Sequence, residues 1–216
     1  MDKRLPIYAM ICRCGGMRGE RIVAARDGCQ KLVDSLSMDP NVRDCAFISL
    51  IDFHTSVRRR TELKPVIDFV MPDVEAEDGA PFLGQAIWGL LKCIKEDIQN
   101  RPNNIIFYSP LVFIITDGRI SDLDAFRTVR EEIKSNRILK SDHIVICVVG
   151  QPKSKFIDEL HEMTKNTLVL ANATDNDIEN YFTLASLLTT NSMTSEGSTE
   201  EDFKRMAKLY GFSVES

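Results

Sequence analysis

Residues 5–11, LPIYAMI, are an apolar run of strand length that opens directly into Cys12-Arg13-Cys14-Gly15-Gly16-Met17-Arg18-Gly19-Glu20. A second run, LVFIIT at residues 111–116, stops in the same abrupt way at Asp117-Gly118. Continuous apolar runs of this length, bounded by turn residues, read as strands buried on both faces. Two such strands ending in tight polar loops predict a site at the carboxyl edge of a parallel sheet, where open α/β folds bind their ligands.

Outward from these strands the chain alternates strand and helix. Ile22, Ala25, Cys29, Leu32, Val33 and Leu36 recur with helical spacing and predict a helix over 19–37, ended by Asp39-Pro40-Asn41. Residues 45–53 form the next strand, and 55–63 read as its antiparallel partner across a turn at His54. On that partner the run Arg58-Arg59-Arg60 marks a solvated edge, closed to pairing with other chains. Leu83, Ile87, Leu90, Leu91, Ile94 and Ile98 stripe a second helix. A third is predicted over 121–139, with Ser121, Asp122 and Asp124 as acceptors for its free N-terminal amides. A strand at 143–149, a helix at 154–164, a strand at 168–170 and a helix at 175–188 complete the series.

The fold class is therefore α/β: a mostly parallel central sheet with one antiparallel edge strand and helices on both faces. Residues 1–190 form this domain, 191–199 a polar linker, and 200–216 an amphipathic helix carrying Phe203, Met206, Ala207 and Tyr210. That helix either packs on its own domain or docks on another chain.

With 27 basic and 32 acidic side chains, the net charge is −5, and no concentrated basic face points to nucleic acid. The longest apolar runs fall well short of the ~20 residues that span a bilayer. MDKRLPIYAM has no signal-peptide h-region or cleavage site, so a cytoplasmic protein without a membrane partner is expected. Of six cysteines, Cys29, Cys45, Cys93 and Cys147 lie within apolar patterns as small hydrophobes, without disulfide-framework spacing.

Three segments, LPIYAMI-x7-GERI, ISLIDFHTSVRRRTEL and PLVFIITDGRISD, resemble the von Willebrand factor A family, and within it the bacterial tellurium-resistance-associated (TerY-like) branch. The resemblance spans residues 5–188. In that family the first loop reads Asp-x-Ser-x-Ser, a second loop supplies a Thr, and an Asp closes the third. Together they hold a magnesium or manganese ion that bridges to a partner's carboxylate. The matching positions here are Cys12, Cys14 and Gly16, then a loop with Ala80, Pro81 and Phe82 and no hydroxyl, and finally Asp117. Hard dications want oxygen ligands, whereas thiolates suit softer metals. Six basic residues against three acidic ones in positions 1–27 disfavour a cation further.

The resemblance thus implies a degenerate metal site, with no resident metal and no cofactor. It implies a non-catalytic protein-binding adaptor or scaffold in a bacterial stress-response system of the tellurium-resistance or phage-defence kind. Its partners would be a kinase, a phosphatase or another von Willebrand A protein.

The alternative reading makes Cys12 and Cys14 a redox pair or a soft-metal sensor, activated by the helix N-terminus and by Arg13 and Arg18. Against it, structural zinc takes four ligands, usually in two pairs, and the sequence shows no second pair. Gly15-Gly16-x-x-Gly19 lacks both the P-loop Lys-Ser/Thr and the dinucleotide spacing. His54, His143 and His161 are scattered, and no nucleophile–base–acid set is legible, so catalysis is not expected. The candidates for partner binding are Arg13, Arg18 and Arg119, whose guanidinium groups can grip a carboxylate, with Phe82 as an apolar anchor and Asp117 at the loop end. The competing readings place Phe82 in the core and pair Asp117 with Arg119.

Overall fold

The computed structural model describes residues 2–99, 104–194, 199–210 and 212. Its elements in chain order are β1 (Asp2–Cys12), α1 (Glu20–Met38), β2 (Ala46–Phe53), β3 (Val57–Arg59), β4 (Lys64–Pro65) and α2 (Leu83–Ile94). There follow β5 (Ile105–Phe107), β6 (Leu111–Thr116), α3 (Leu123–Ser135), β7 (Ile144–Val149), α4 (Ser154–Met163), β8 (Thr167–Leu170), α5 (Asp175–Thr194) and α6 (Thr199–Leu209).

The sheet runs β3-β2-β1-β6-β7-β8, with β1 at its centre pairing in parallel with β2 and β6. Residues 5–12 of β1 and all of β6 and β7 are buried, as continuous apolar runs demand. Each fully buried Ile or Leu there contributes roughly 1.5–3 kcal/mol relative to exposure. β5 extends the sheet beside the first residues of β1, Asp2 opposite Ile105. Helix α1 packs with α5 on one face, close enough that a Cβ on Gly28 would stand 2.3 Å from the Phe182 ring. On the other face α2 packs on α3, where a Cβ on Gly84 would meet the Phe126 backbone at 2.3 Å.

Five expectations are corrected. The antiparallel partner of β2 is not one strand over 55–63 but two short ones, β3 and β4. Between them Thr61 replaces ladder pairing, its Oγ1 accepting the Leu50 N–H at 2.8 Å. The arginine run on this edge is not merely solvated: Arg59 is largely buried and meets Asp97 at 2.6 Å, a carboxylate that also accepts the Tyr8 hydroxyl. Asp122 does not cap α3. Its carboxylate accepts the Gly84 and Gln85 N–H groups at 3.1 and 2.8 Å and so caps α2, in keeping with the preference of anions for helix N-termini.

The helix expected over 121–139 stops at Ser135 because Asn136 Oδ1 takes the Ile138 and Leu139 N–H groups and turns the chain. The expected linker 191–199 begins inside α5, which continues to Thr194, held where Thr190 donates to Asp39 at 2.9 Å. Residues 195–198 lie outside the described residues, and Thr199 already opens α6. Phe203, Met206 and Ala207 of α6 are buried against α5, so the C-terminal helix packs on its own domain. No helix among the described residues is long and apolar enough to cross a membrane.

Candidate functional site

The carboxyl ends of β1 and β6 bring Cys12, Cys14 and Asp117 together from positions 103 residues apart. Both thiols are fully buried. The Cys12 thiol donates to the Cys14 sulfur at 3.0 Å, and Cys14 donates to Asp117 Oδ2 at 3.2 Å. All three potential ligand atoms lie within 4.8 Å of one another. Burial pushes the Cys12 thiol well above its ordinary range, whereas the hydrogen bond from Cys12 favours ionisation of Cys14.

Asp117 is doubly engaged by Arg119. Oδ1 accepts the Arg119 backbone N–H at 3.1 Å and Oδ2 accepts its Nε at 2.7 Å. The turn needs Gly118, at φ +77°, where a Cβ would meet Val148 at 2.4 Å. Gly16 has a tighter constraint, since a Cβ there would stand 2.2 Å from Asp117 Oδ2. The loop carrying Ala80, Pro81 and Phe82 lies alongside, with the Pro81 carbonyl accepting the Ser121 N–H at 3.0 Å.

An open cleft of about 730 Å³ borders this cluster, lined by Gly15, Gly16, Arg21, Asp78, Asp117 and Arg119. Residues 149–152 line it as well. Arg21 escaped the sequence reading. It sits on the second residue of α1 and donates to the Gly16 carbonyl at 3.0 Å, which braces the first loop.

The candidate residues separate by depth. Asp117 and Arg119 line the cleft, with the Arg119 side chain 51% exposed. Arg18 is 55% exposed and pairs with Asp78 at 2.7 Å. Phe82 is half-buried beside the cleft's neighbouring loop, where its N–H bonds the His54 carbonyl. Arg13 is a correction. It is 1% exposed and holds Asp52 at 2.8 Å and Glu77 at 2.6 Å, so it cannot reach a partner. Alternation along the chain puts it opposite in orientation to its neighbours Cys12 and Cys14, and burial then requires a counter-charge. Glu77, on a segment with no periodic signal, closes that network through a 3.0 Å contact with His54.

The expected excess of positive charge is also corrected. Arg13, Arg18 and Arg119 are each matched by a carboxylate, and the cleft lining holds two basic and two acidic residues. The donor set does not fit magnesium or manganese, because two positions carry sulfur and Gly16 has no hydroxyl and no room for one.

No sequence-family model matches the chain, and no curated protein matches it. Solved structures match in fold. A von Willebrand factor type A protein from Catenulispora acidiphila superposes with a TM-score of 0.61 at 15% identity, covering 88% of this chain and 43% of that one. The pilus adhesin SpaC of Lactobacillus rhamnosus GG gives 0.66 at 10% identity, covering 88% of this chain and 30% of that one. The ArnB paralog VWA2 of Sulfolobus acidocaldarius gives 0.53 at 14% identity, covering 81% and 43%. This chain therefore has the von Willebrand factor A fold and spans less than half the length of these three proteins.

Proposed function

We propose that this chain is a non-catalytic protein-binding adaptor or scaffold, cytoplasmic, working in a bacterial stress-response system of the tellurium-resistance or phage-defence kind. The single observation that carries the binding role is the cleft at the carboxyl edge, with two half-exposed guanidinium groups, Arg18 and Arg119, beside it. A guanidinium already leaning on one carboxylate keeps further N–H donors for an acidic group on a partner. Phe82 supplies apolar surface on the adjoining loop. The stress-response setting, and a kinase, phosphatase or second von Willebrand A protein as partner, rest on the motifs shared with the TerY-like branch.

Catalysis is not part of this reading. Asp117 is held by Arg119 and a thiol, and His54 is tied to Glu77, Thr55 and the Ser56 backbone. The test is capture of an identified partner from the host, repeated with Arg18→Glu/Arg119→Glu. Binding that drops at least tenfold in the folded variant supports the reading. Binding indifferent to the reversal overturns it.

A further inference from the structure

Cys12, Cys14 and Asp117 have a use that the protein-binding reading does not require. The geometry points to a binding site for one soft or borderline dication of the zinc type, held by the two sulfurs and the Asp117 carboxylate.

Three observations carry this. First, the donors already converge: sulfur to sulfur is 3.0 Å and sulfur to carboxylate 3.2 Å. With Zn–S bonds of about 2.3 Å, two sulfurs on a tetrahedral ion lie about 3.8 Å apart. The side chains need to open by less than about 1 Å, within reach of small χ1 changes. Second, the charges close. Two thiolates and one carboxylate beside the Arg119 guanidinium sum to −2, which one dication neutralises. Arg119 then becomes the outer partner that orients the ligating carboxylate. Third, the donor set is incomplete in a specific way. Only three protein ligands converge, of which Asp117 lines the cleft while Cys12 and Cys14 are buried, so the fourth position of a tetrahedral ion is left to water or an incoming carboxylate.

A disulfide is the rival use of the two thiols. It would remove the hydrogen bond that Cys14 donates to Asp117, and both sulfurs are buried away from a bulky thiol oxidant. A bare dication is far smaller than such an oxidant.

The test uses the full chain, reduced, titrated with cobalt(II) and then zinc. One cobalt per chain should bind with intense thiolate-to-cobalt charge-transfer absorption, displaced by an equivalent of zinc and untouched by excess magnesium. Cys12→Ser/Cys14→Ser should abolish that absorption. Asp117→Asn should weaken cobalt binding by at least about tenfold, since losing even an outer-shell partner costs that much. Thermal melts without metal establish that these variants fold. X-ray absorption of the zinc-loaded unaltered chain needs no variant and should count two sulfur ligands at about 2.3 Å. Absence of the charge-transfer band, the same band in the double variant through Cys29, Cys45, Cys93 or Cys147, or a zinc shell of four sulfurs or none overturns the proposal.

Discussion

Gly16 and Asp117 exclude any side chain between them: a Cβ on Gly16 would lie 2.2 Å from Asp117 Oδ2 and 2.9 Å from its Cγ. Real Cβ contacts do not come that close, so the carboxylate occupies the space that a side chain at position 16 would need. The missing hydroxyl of the first loop is therefore tied to the way Asp117 leans on Arg119. Gly16→Ala should destabilise the fold by roughly 1–3 kcal/mol, the usual cost of overpacking. In a urea-denaturation cycle the penalty should shrink markedly on an Asp117→Ala background. An equal penalty on both backgrounds would show that the contact is relieved elsewhere.

Magnesium and manganese should not stabilise the protein in the millimolar range, because two of the three donors are sulfur and Gly16 supplies no oxygen. A ligand at a hundredfold excess over its dissociation constant adds about 2.7 kcal/mol. A saturable stabilisation of that size by either ion, seen in thermal-shift titration, would refute this.

Arg13 and Asp52, each 1% exposed, form a buried ion pair. Removing Arg13 leaves the buried Asp52 carboxylate with only the longer 3.4 Å contact to Arg60, so Arg13→Ala should cost about 3–5 kcal/mol. Arg13→Met/Asp52→Leu should recover part of that loss. Equal urea midpoints for Arg13→Ala and the unaltered chain would contradict the burial.

Acid stability should report on Glu77. His54 and then Arg13 pull its carboxyl from an ordinary 4.5 down to about 2. A depressed carboxyl binds fewer protons in the folded state, so its stabilisation is complete above pH 4.5 and lost as pH falls toward 2. Glu77→Gln should flatten the stability curve within that window and leave its slope above it unchanged. The two curves running parallel from pH 4.5 to 2 would count against the assignment.

Asp122 holds α2 across 37–38 residues of sequence. Asp122→Ala should therefore cost about 0.5–2 kcal/mol as a lost N-cap, with slowed exchange protection reduced in the first turn of α2 rather than of α3. Hydrogen exchange separates the two helices directly.

Periodicity by itself determined the α/β class and the two central strands, and it pointed to the carboxyl edge as the place for a candidate site. Those follow because burial on both faces demands continuous apolar runs, a property written residue by residue in 5–11 and 111–116. The likeness of three motifs supplied the von Willebrand A fold, and the chemistry of Cys12, Cys14 and Gly16 is enough to disfavour a hard dication. What the tertiary structure decided were the partners of charges. Arg13 reads like Arg18 in the sequence, yet one is sealed against Asp52 and Glu77 while the other faces solvent. Asp122 looks like the cap of the helix it precedes and serves another. Cys12 and Cys14 lack a second ligand pair nearby in sequence, and their third donor arrives from 103 residues away. Local pattern records which face a residue presents and how apolar it is. The groups meeting across that face are fixed by strand order and loop path, which no local window contains.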